Sequence, residues 1–429
     1  SSLSVIQSRR TLSTTEIIEN DSALVWSTNS GRLIIRKEPV SIRLEGWKLD
    51  QPISQPEKTF LSDSPNETSA SFTIAPDSPV YGLGERGPTL NHRGRPYEVY
   101  NEQHFGYAGP LDQMNITIPV AYTGDGIGFF MDQVERGLIN TGANPRGELT
   151  FSAESESLRL YLILSGRVEE QVEAYTWLTG RATLPPKWAL GYIQSKYGYR
   201  NQQEARKAAT QLRESGFPLD VLVIDLYWFN RMGDFEWNAA AFPNPSTLAA
   251  SLENDNIKSV VNTQPYVVEN SNLFNEIINN HPEFAGRNPE GEPYRLPNWW
   301  SCGCDAMLID LTHPGARKWF WQAYSNLLDY GIDGVWTDLG EPERHPEDMQ
   351  HHLGSAKEVH NGINLLWSRL LYSNYQEKYP GKRLFNLTRS AYAGSQRYGV
   401  LTWSADVSRS FRGLASQRQL MLSTALSGI

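Results

Sequence analysis

Four charged side chains in the second half of the chain follow short apolar runs, close to where each run ends. They are Asp225, Asp338, Arg389 and Asp406. A pair of carboxylates suits the cleavage of a glycosidic bond, because one can attack or stabilise the sugar cation while the other protonates the leaving oxygen. A separation of about 5–5.5 Å predicts retention of configuration through a covalent intermediate, and a wider one predicts inversion. Asp338 and Asp406 are the candidate pair.

Asp225 and Arg389 have two interpretations each. An ionised Asp225 could accept hydrogen bonds from sugar hydroxyls, and Arg389 could donate to the same ring or hold a carboxylate in place. The alternative is structural: Asp225 caps a turn and Arg389 makes an ion pair in the scaffold. Glu341 and Glu343 compete with Asp338 for the role of nucleophile. They lie beyond the end of the strand, so we expect them to support Asp338 or its loop.

From about residue 181 onward, apolar strands alternate with amphipathic helices. The predicted strands are Ala189–Gln194, Val221–Ile224, Ser259–Asn262, Gly334–Thr337, Arg383–Leu387 and Val400–Trp403. The predicted helices are Asn201–Ser215, Ser246–Glu253, Pro314–Tyr330, Val359–Tyr379 and Ala415–Leu426. Near-continuous apolar strands in βα units predict a parallel sheet covered by helices. Both a doubly wound sheet and a (β/α)8 barrel fit this pattern.

The position of the polar residues favours the barrel, since they fall just after the strands, where barrel enzymes carry their chemistry. A closed barrel of this kind needs about eight strands, and about six precede Ile429. We therefore expect an α/β fold whose (β/α)8 barrel, over residues 181–429, lacks its last part. The chain is then expected to be a piece of a longer protein.

Residues 1–180 have the pattern of an all-β domain. Short apolar segments are separated by clusters of Asn, Gly, Pro and Ser, which predicts a sandwich of antiparallel strands. The clearest predicted strands are Ala23–Ser27, Arg32–Arg36, Ile42–Glu45, Ser71–Ile74 and Leu158–Leu164. A short helix is expected over Gln171–Leu178. The glycine-rich loop Tyr81–Gly87 is followed by a polar-aromatic run from Asn91 to Tyr107. We expect this loop to reach toward a neighbouring active site rather than to bind phosphate.

The composition argues against several function classes. The formal net charge is −9, and we find no basic patch of the kind that nucleic acid requires. No run of about 20 apolar residues is present, so no membrane-spanning helix is expected. The 13 Trp, 20 Tyr and 15 Phe suit a carbohydrate ligand, because the C–H faces of sugars pack on aromatic rings. The alternative is that many of them lie in the core, which aromatic residues dominate energetically.

The cysteines and histidines are not predicted to form a metal site. Cys302 and Cys304 are too few for a disulfide framework or for a structural zinc site. Four histidines lie in the segment from His345 to His360, but their spacing matches no familiar ligand pattern. We expect neither a metal nor a cofactor.

These residues resemble glycoside hydrolase family 31, which comprises retaining α-glycosidases and α-transglucosylases. The resemblance runs from about Tyr81 to the C-terminus and is strongest from Leu184 onward. Trp336-Thr-Asp-Leu-Gly-Glu-Pro-Glu343 is similar to the family's nucleophile signature, with the aspartate at position 338. Trp403-Ser-Ala-Asp406 is similar to the acid/base segment, which in relatives usually reads Trp-x-Gly-Asp. Alanine at position 405 replaces that glycine.

The resemblance also implies roles for the flanking residues. Asp225 would bind hydroxyl groups of the sugar in the −1 subsite, and Arg389 would reach the same ring. Aromatic residues that would line the substrate site are Trp300, Trp336 and Trp403. The variant Asp-Leu-Gly-Glu-Pro-Glu is most similar to the branch of bacterial oligosaccharide 4-α-glucosyltransferases, whereas the stretch Asn298–Asp305 departs from that branch. Branches that act on α-galactosides or α-xylosides share the same core.

The expected function is that of a retaining, exo-acting α-glycosidase or α-transglycosylase on α-linked oligosaccharides, with α-glucosyl units as the first expectation. An α-galactosidase or an α-xylosidase is the alternative within the family. Rivals of other classes are a lyase of the same fold, a catalytically silent carbohydrate-binding protein and a metal-dependent phosphatase. The expected partner is the glycoside substrate, with no nucleic acid, and association with further copies of the chain is left open.

Overall fold

The computed structural model describes residues 2–6, 14–28, 31–37, 40–45, 52–54, 67–109 and 111–429. The chain forms two compact units. One consists of Ser1–Ala182, Ala391–Gln396 and Ser404–Ile429, and the other of Thr183–Ser390 and Arg397–Trp403. The first unit therefore includes two segments from the C-terminal part of the chain.

Strands and helices are numbered along the described residues. The strands are β1 (Thr14–Glu19), β2 (Ala23–Thr28), β3 (Gly31–Lys37), β4 (Val40–Glu45), β5 (Pro52–Ser54), β6 (Thr68–Phe72), β7 (Val80–Gly84), β8 (Pro96–Val99), β9 (Phe105–Tyr107), β10 (Thr117–Thr123), β11 (Ile127–Met131), β12 (Gly137–Thr141), β13 (Leu149–Ala153), β14 (Leu160–Leu164), β15 (Tyr192–Gln194), β16 (Leu219–Ile224), β17 (Lys258–Thr263), β18 (Tyr266–Val268), β19 (Ala306–Leu308), β20 (Gly334–Thr337), β21 (Gln350–His351), β22 (Gly354–Ser355), β23 (Asn386–Thr388), β24 (Val400–Thr402) and β25 (Asp406–Val407). The helices are α1 (Val168–Thr179), α2 (Gln202–Glu214), α3 (Pro245–Asn254), α4 (Asn272–Asn280), α5 (Pro314–Leu328), α6 (Ala356–Val359), α7 (Ile363–Lys378) and α8 (Phe411–Leu426). Within the described residues, no helix combines the length and the apolar character needed to cross a bilayer.

Two antiparallel sheets make up most of the first unit. The larger sheet has the order β1-β2-β3-β4-β5-β6-β13-β12-β8, and the smaller has the order β14-β11-β10-β7. Phe129 on β11 packs against Phe72 on β6 and Phe151 on β13, with ring centroids 4.6 and 5.6 Å apart. This aromatic cluster joins the two sheets and is buried, as expected where two apolar sheet faces meet.

The C-terminal helix α8 is bound to β7 of the same unit by hydroxyl groups. Ser423 donates to the carbonyl of Gly84 at 2.9 Å, and Ser427 accepts from the N–H of Gly84 at 2.7 Å. Strand β25 pairs with β9, and the Tyr107 hydroxyl donates to the carbonyl of Ser404 at 2.7 Å. These contacts account for the inclusion of the C-terminal segment in the first unit.

The second unit is built on a parallel sheet with the order β15-β16-β17-β20-β23-β24. The order follows the chain without a reversal, as in a barrel, whereas a doubly wound sheet changes direction at a switch point. On β16, Val221 and Val223 pack with Trp336 and Phe385 on one face, while Leu222 and Ile224 join the core beneath the helices. Both faces are buried, which explains why the strand is a continuous apolar run.

Some predicted elements differ from those observed. The expected strand Ala189–Gln194 is shortened to β15, because Lys187–Leu190 forms a 3-10 helix after the two prolines. The expected helix Val359–Tyr379 begins later, as α7, after a 3-10 turn at His360–Gly362. The segment from Tyr81 to Tyr107, expected as a loop, contains most of β7 and all of β8 and β9.

The segment between β17 and α5 contains elements that the sequence does not predict. Strands β18 and β19 form an antiparallel pair, and α4 lies between them. The strands are only three residues long, too short for a clear periodicity. The loop before β19 contains a disulfide between Cys302 and Cys304, with Cα atoms 5.1 Å apart. The sequence predicts no disulfide framework and does not predict this single bond: two cysteines cannot link distant segments into a framework, but these close a local ring.

Candidate active site

The carboxyl ends of the parallel strands carry most of the predicted site residues of the second unit. Trp336 lies on β20 and Asp338 directly follows it, Asp225 follows β16, and Arg389 follows β23. Trp403 directly follows β24. Because parallel strands end at the same edge of a sheet, the topology brings these side chains to one edge, where barrel enzymes have their active sites.

The Asp338 carboxylate is held through both of its oxygens. Oδ1 accepts from the N–H of Leu339 at 2.9 Å and lies 3.3 Å from Nη1 of Arg389. Oδ2 accepts from Nδ2 of Asn262, on β17, at 3.1 Å. The N–H of Asp338 donates to the carbonyl of Thr263 at 2.9 Å, which extends the pairing of β20 and β17 past the end of the strand. Backbone and side chain are thus both fixed in position.

The backbone just after Asp338 is in an unusual conformation. Leu339 has φ +59°, a left-handed value that costs about 1–2 kcal/mol for a residue with a Cβ. At Gly340, a Cβ would lie 2.7 Å from Nδ2 of Asn364 and 3.0 Å from the ring of Trp367. The turn therefore requires glycine at position 340 and is strained at position 339, and such strain concentrates at functional sites.

Arg389 connects three carboxylates in the interior and is only 2% exposed. Its Nε and Nη2 each donate to Glu341 at 2.8 Å, and Nη2 also lies 3.0 Å from Glu343. Its Nη1 contacts Asp338. The bidentate pair with Glu341 fixes the plane of the guanidinium group. Arg389 thus makes a scaffold ion pair and holds the carboxylate of Asp338, while both glutamates bind to it.

Burial and the arginine charge act in opposite directions on these acids. Burial raises the pKa of Asp338 above its ordinary value, and Arg389 and the hydrogen bond from Asn262 oppose that shift. Burial also raises the pKa of Glu343, again opposed by Arg389. For Arg389, burial by itself would lower the pKa, but the nearby carboxylates, led by Glu341, raise it well above its usual range. The cluster therefore contains a permanent cation that favours the ionised form of Asp338.

Asp225, Trp336 and Trp403 are the other predicted site residues at this edge of the sheet. Asp225 is 4% exposed, and its Oδ1 accepts from the N–H of Leu226 at 2.8 Å at the start of a 3-10 turn. The capping role considered for Asp225 is therefore observed for this oxygen. Trp336 and Trp403 meet edge to face with ring centroids 4.9 Å apart. Within the described residues, the buried indole N–H of Trp336 has no acceptor.

Trp300 lies on the rim of a groove with a volume of about 480 Å³. Trp300 is 48% exposed, and Tyr197, Tyr227 and Phe229 line the same groove. The loop that carries Trp300 is held by the Cys302–Cys304 disulfide and by a hydrogen bond from the N–H of Cys302 to the carbonyl of Trp299. Exposed aromatic faces of this kind can stack on sugar rings.

Asp406 belongs to the first unit, where it begins β25 and pairs with Phe105. The preceding Ala405 is buried and has φ +58°. That conformation is easier for glycine than for alanine, which gives a physical reason for a glycine at this position in relatives. The backbone at Ala405 keeps the left-handed conformation despite the added methyl group. The pairing of Asp406 with Asp338 stays a prediction from the sequence.

Asn262 contacts the site but is absent from the sequence-based prediction. The available signal is an asparagine in a buried strand, directly after Val260 and Val261, where a buried polar side chain needs a partner. Among the described residues, no group of His, Cys, Asp and Glu is arranged to hold a metal ion.

Family profiles match most of the chain. Residues 182–429 match the glycosyl hydrolases family 31 TIM-barrel domain. Residues 2–140 match the glycosyl hydrolase 31 N-terminal galactose mutarotase-like domain.

Individual relatives agree with the profiles. Alpha-glucosidase 2 of Bacillus thermoamyloliquefaciens is 27% identical over 427 residues, which is 96% of this chain and 53% of that protein. An alpha-xylosidase of Saccharolobus solfataricus is 27% identical over 94% of this chain and 53% of its own length. Among solved structures, a family 31 dextranase of Flavobacterium johnsoniae complexed with glucose has a TM-score of 0.87 at 26% identity, covering 96% of this chain and 52% of that one.

The chain thus spans about half the length of the curated relatives it matches. The barrel profile covers more than half of the 429 residues. On this evidence, the chain belongs to glycosyl hydrolase family 31.

Proposed function

We propose that the full-length protein is a retaining α-glycosidase or α-transglycosylase, with Asp338 as nucleophile and Asp406 as general acid and base. The observation that carries the proposal is the setting of Asp338: a buried carboxylate at the end of a parallel strand, oriented by Asn262 and Arg389. A nucleophile must be ionised and fixed toward the anomeric carbon, and the arginine and the two hydrogen bonds serve both needs.

The two oxygens of Asp338 differ in their surroundings, which indicates which of them attacks. Oδ1 accepts from Leu339 and faces Arg389, whereas Oδ2 accepts a single hydrogen bond among the described residues, from Asn262. In the first step, a bond forms between Oδ2 and the anomeric carbon while the glycosidic bond breaks. The leaving oxygen takes a proton from Asp406.

In the second step, water or the hydroxyl of another sugar attacks the anomeric carbon. Its proton goes to Asp406, and the bond to Oδ2 of Asp338 breaks, which restores the carboxylate. Hydrolysis and transfer differ only in the acceptor. No other group is consumed in this cycle.

The proposed substrates are α-linked oligosaccharides cleaved from the end of the chain, with an α-glucosyl unit in the −1 subsite. Relatives named as an alpha-glucosidase and an alpha-xylosidase support an α-glycoside and leave the α-xylosyl unit, and the α-galactosyl unit of the family, as alternatives. We propose that Asp225, Trp336 and Trp403 bind the sugar ring. Trp300 would bind a sugar unit further along the substrate. The similarity of the Asp338 motif to 4-α-glucosyltransferases supports transfer as well as hydrolysis.

For the architecture, we propose two domains, a β-sandwich over residues 1–180 and a (β/α)8 barrel over residues 181–429 in which the six parallel strands are the first six. The unreversed strand order and the two profile matches support this division.

A panel of p-nitrophenyl α-glycosides (gluco, galacto, xylo and N-acetylgalactosamino) tests the activity of the full-length natural protein. We expect one of them to be cleaved with retention, as followed by NMR of the first anomer released. Activity should fall by several orders of magnitude in Asp338→Asn. An inverted first product, or unchanged turnover in that variant, would contradict the mechanism.

A further inference from the structure

Four side chains of the second unit form a continuous hydrogen-bonded chain. Nδ1 of His351 lies 3.1 Å from Oδ1 of Asp310, and Nε2 of His351 lies 2.7 Å from Nε2 of His345. Nδ1 of His345 lies 2.9 Å from Nδ1 of His360. Asp310, His351 and His360 are buried, with exposures of 1, 5 and 2%.

The proton positions in this chain follow from its acidic end. Asp310 also accepts hydrogen bonds from the N–H and hydroxyl of Thr312 and from the N–H of His352. These donors favour its ionised form, which only accepts hydrogen bonds. Burial alone would raise the pKa of Asp310, but the hydrogen bonds it accepts, led by the one from His351, lower it. The Nδ1 of His351 therefore donates to Asp310.

Each remaining bond is then determined in turn. If His351 carries a single proton, held at Nδ1, its Nε2 accepts and the Nε2 of His345 donates. His345 then accepts at Nδ1, and the Nδ1 of His360 donates. Each of the two bonds between rings then has one donor and one acceptor. Burial and the two neighbouring histidines also lower the pKa of His345 well below its usual value.

This chain holds the segment that leads away from the proposed nucleophile. His345 comes two residues after Glu343, which binds Arg389. Next to it, the backbone of Arg344 is held by Tyr266, whose hydroxyl accepts from the N–H at 3.0 Å and donates to the carbonyl at 3.1 Å. The turn from Glu341 to His345 is thus fixed at its beginning by Arg389 and at its end by Tyr266 and the imidazole chain.

We propose that His345 is a positioning residue for the reaction. Its neutral ring, with a donor at Nε2 and an acceptor at Nδ1, holds the turn that carries Glu341 and Glu343 and thereby fixes Arg389 against Asp338. The ionisable groups that face His345 are His351 and His360, with Asp310 beyond His351. A proton added to His345 would make its Nδ1 a donor. The Nδ1 of His360 is also a donor, so the hydrogen bond between these two rings would be lost unless His360 changed its tautomer. The expected effect of His345 on the reaction rate rests on the proposed function. The expected proton positions rest on the structure alone.

The kinetic test uses the full-length protein with its best glycoside substrate. His345→Leu removes the donor and the acceptor, whereas His345→Gln keeps one of each, and His281→Leu is the control outside the chain. A displacement of about 1 Å costs on the order of 100-fold in rate, so we expect His345→Leu to lower kcat by about that factor with little change in KM. The acid limb of its pH profile should also shift. His345→Gln should recover most of the rate, and His281→Leu should behave as wild type.

Wild-type kcat and an unchanged acid limb in His345→Leu would overturn the proposal, and so would a His345→Gln variant that folds but is as slow as the leucine variant. Should the leucine variant fail to fold, the glutamine variant and the proton pattern decide. Failure of the proposed function is distinguishable, because the wild-type protein itself would then cleave no glycoside.

The proton pattern is measured directly on the wild-type protein by long-range ¹H–¹⁵N NMR of ¹⁵N-histidine. We expect a neutral His345 at pH 7 with its proton on Nε2, and a proton on Nδ1 in both His351 and His360. His345 with its proton on Nδ1, or a charged His345 at pH 7, would overturn the inference whatever the activity.

Discussion

Replacing Arg389 by methionine is the sharpest perturbation of the candidate site. The side chain is 2% exposed and contacts three carboxylates, those of Asp338, Glu341 and Glu343. Methionine retains much of the aliphatic stem and removes the charge. The variant therefore leaves three acidic groups in a buried space without their cation.

The size of the effect follows from the distances. At 3.3 Å, the attraction between Arg389 and Asp338 is about 5 kcal/mol before desolvation for an effective dielectric constant of about 20. Breaking a buried ion pair by removing one partner costs about 3–5 kcal/mol in free energy of unfolding. The pKa values of the remaining acids rise in the folded state, because burial then acts unopposed. The folded variant binds more protons than its unfolded chain, so its deficit grows as the pH rises.

The assay is denaturant unfolding of wild type and Arg389→Met at pH 5 and pH 7.5, followed by tryptophan fluorescence. We expect a loss of about 3–5 kcal/mol at pH 7.5 and a smaller loss at pH 5. Arg383→Met is the matched control shortly before the same strand, since Arg383 is exposed and, among the described residues, contacts no carboxylate; its Nη1 donates to the carbonyl of Pro185. It should change stability by about 0.5 kcal/mol or less. A deficit below about 1 kcal/mol for Arg389→Met, equal at both pH values, would refute the assignment of Arg389 as the cation that holds ionised acids.

Three further predictions concern other residues. Burial raises the pKa of Asp338 above its ordinary value of 3.8, so the wild type loses stability as the pH rises from 3.8 through the raised pKa. Asp338→Asn should therefore have a Tm at pH 7 no lower than that of wild type, although its activity is lost. A clearly lower Tm would contradict this. Burial lowers the pKa of His92 from 6.5 to about 3, so the stability that neutral His92 contributes is complete above pH 6.5 and is lost as the pH falls toward 3. The Tm of wild type should therefore fall more steeply between pH 6.5 and pH 4 than that of His92→Gln, and parallel curves would count against it. Trp300→Ala should raise KM for oligosaccharides by about fivefold, as expected for the loss of about 1 kcal/mol of stacking, with kcat unchanged; an unaltered KM would remove Trp300 from the substrate path.

Much of the second unit could be predicted from local patterns. The run Val221–Ile224 is apolar at every position because both faces of β16 are buried, so it is visible in the sequence without any partner. The bounds of β20 are those predicted, and Asp338 follows it as expected. Parallel strands impose a shared edge on the residues that follow them, which is why Asp225 and Arg389 could be grouped with Asp338 from the chain alone.

Other features depend on contacts that no local pattern contains. The partners of Arg389 lie 46 to 51 residues away in the chain, and the choice of Glu341 for the bidentate contact is decided by the backbone turn after β20. Asn262 reaches Asp338 across 76 residues because β17 and β20 are neighbours in the sheet. The histidine chain joins Asp310 to three rings whose spacing matched no ligand motif, since hydrogen bonding between rings imposes no fixed spacing.

The most direct test of the central claim is to trap the nucleophile. Full-length protein is incubated with a 5-fluoro-α-glycosyl fluoride of the preferred sugar, digested, and its peptides are sequenced by mass spectrometry. A fluorosugar on the carboxylate of Asp338, absent from Asp338→Asn, is the expected result. A fluorosugar on Asp225, Glu341 or any other residue, or no adduct in a protein that turns over the fluoride, would contradict the assignment.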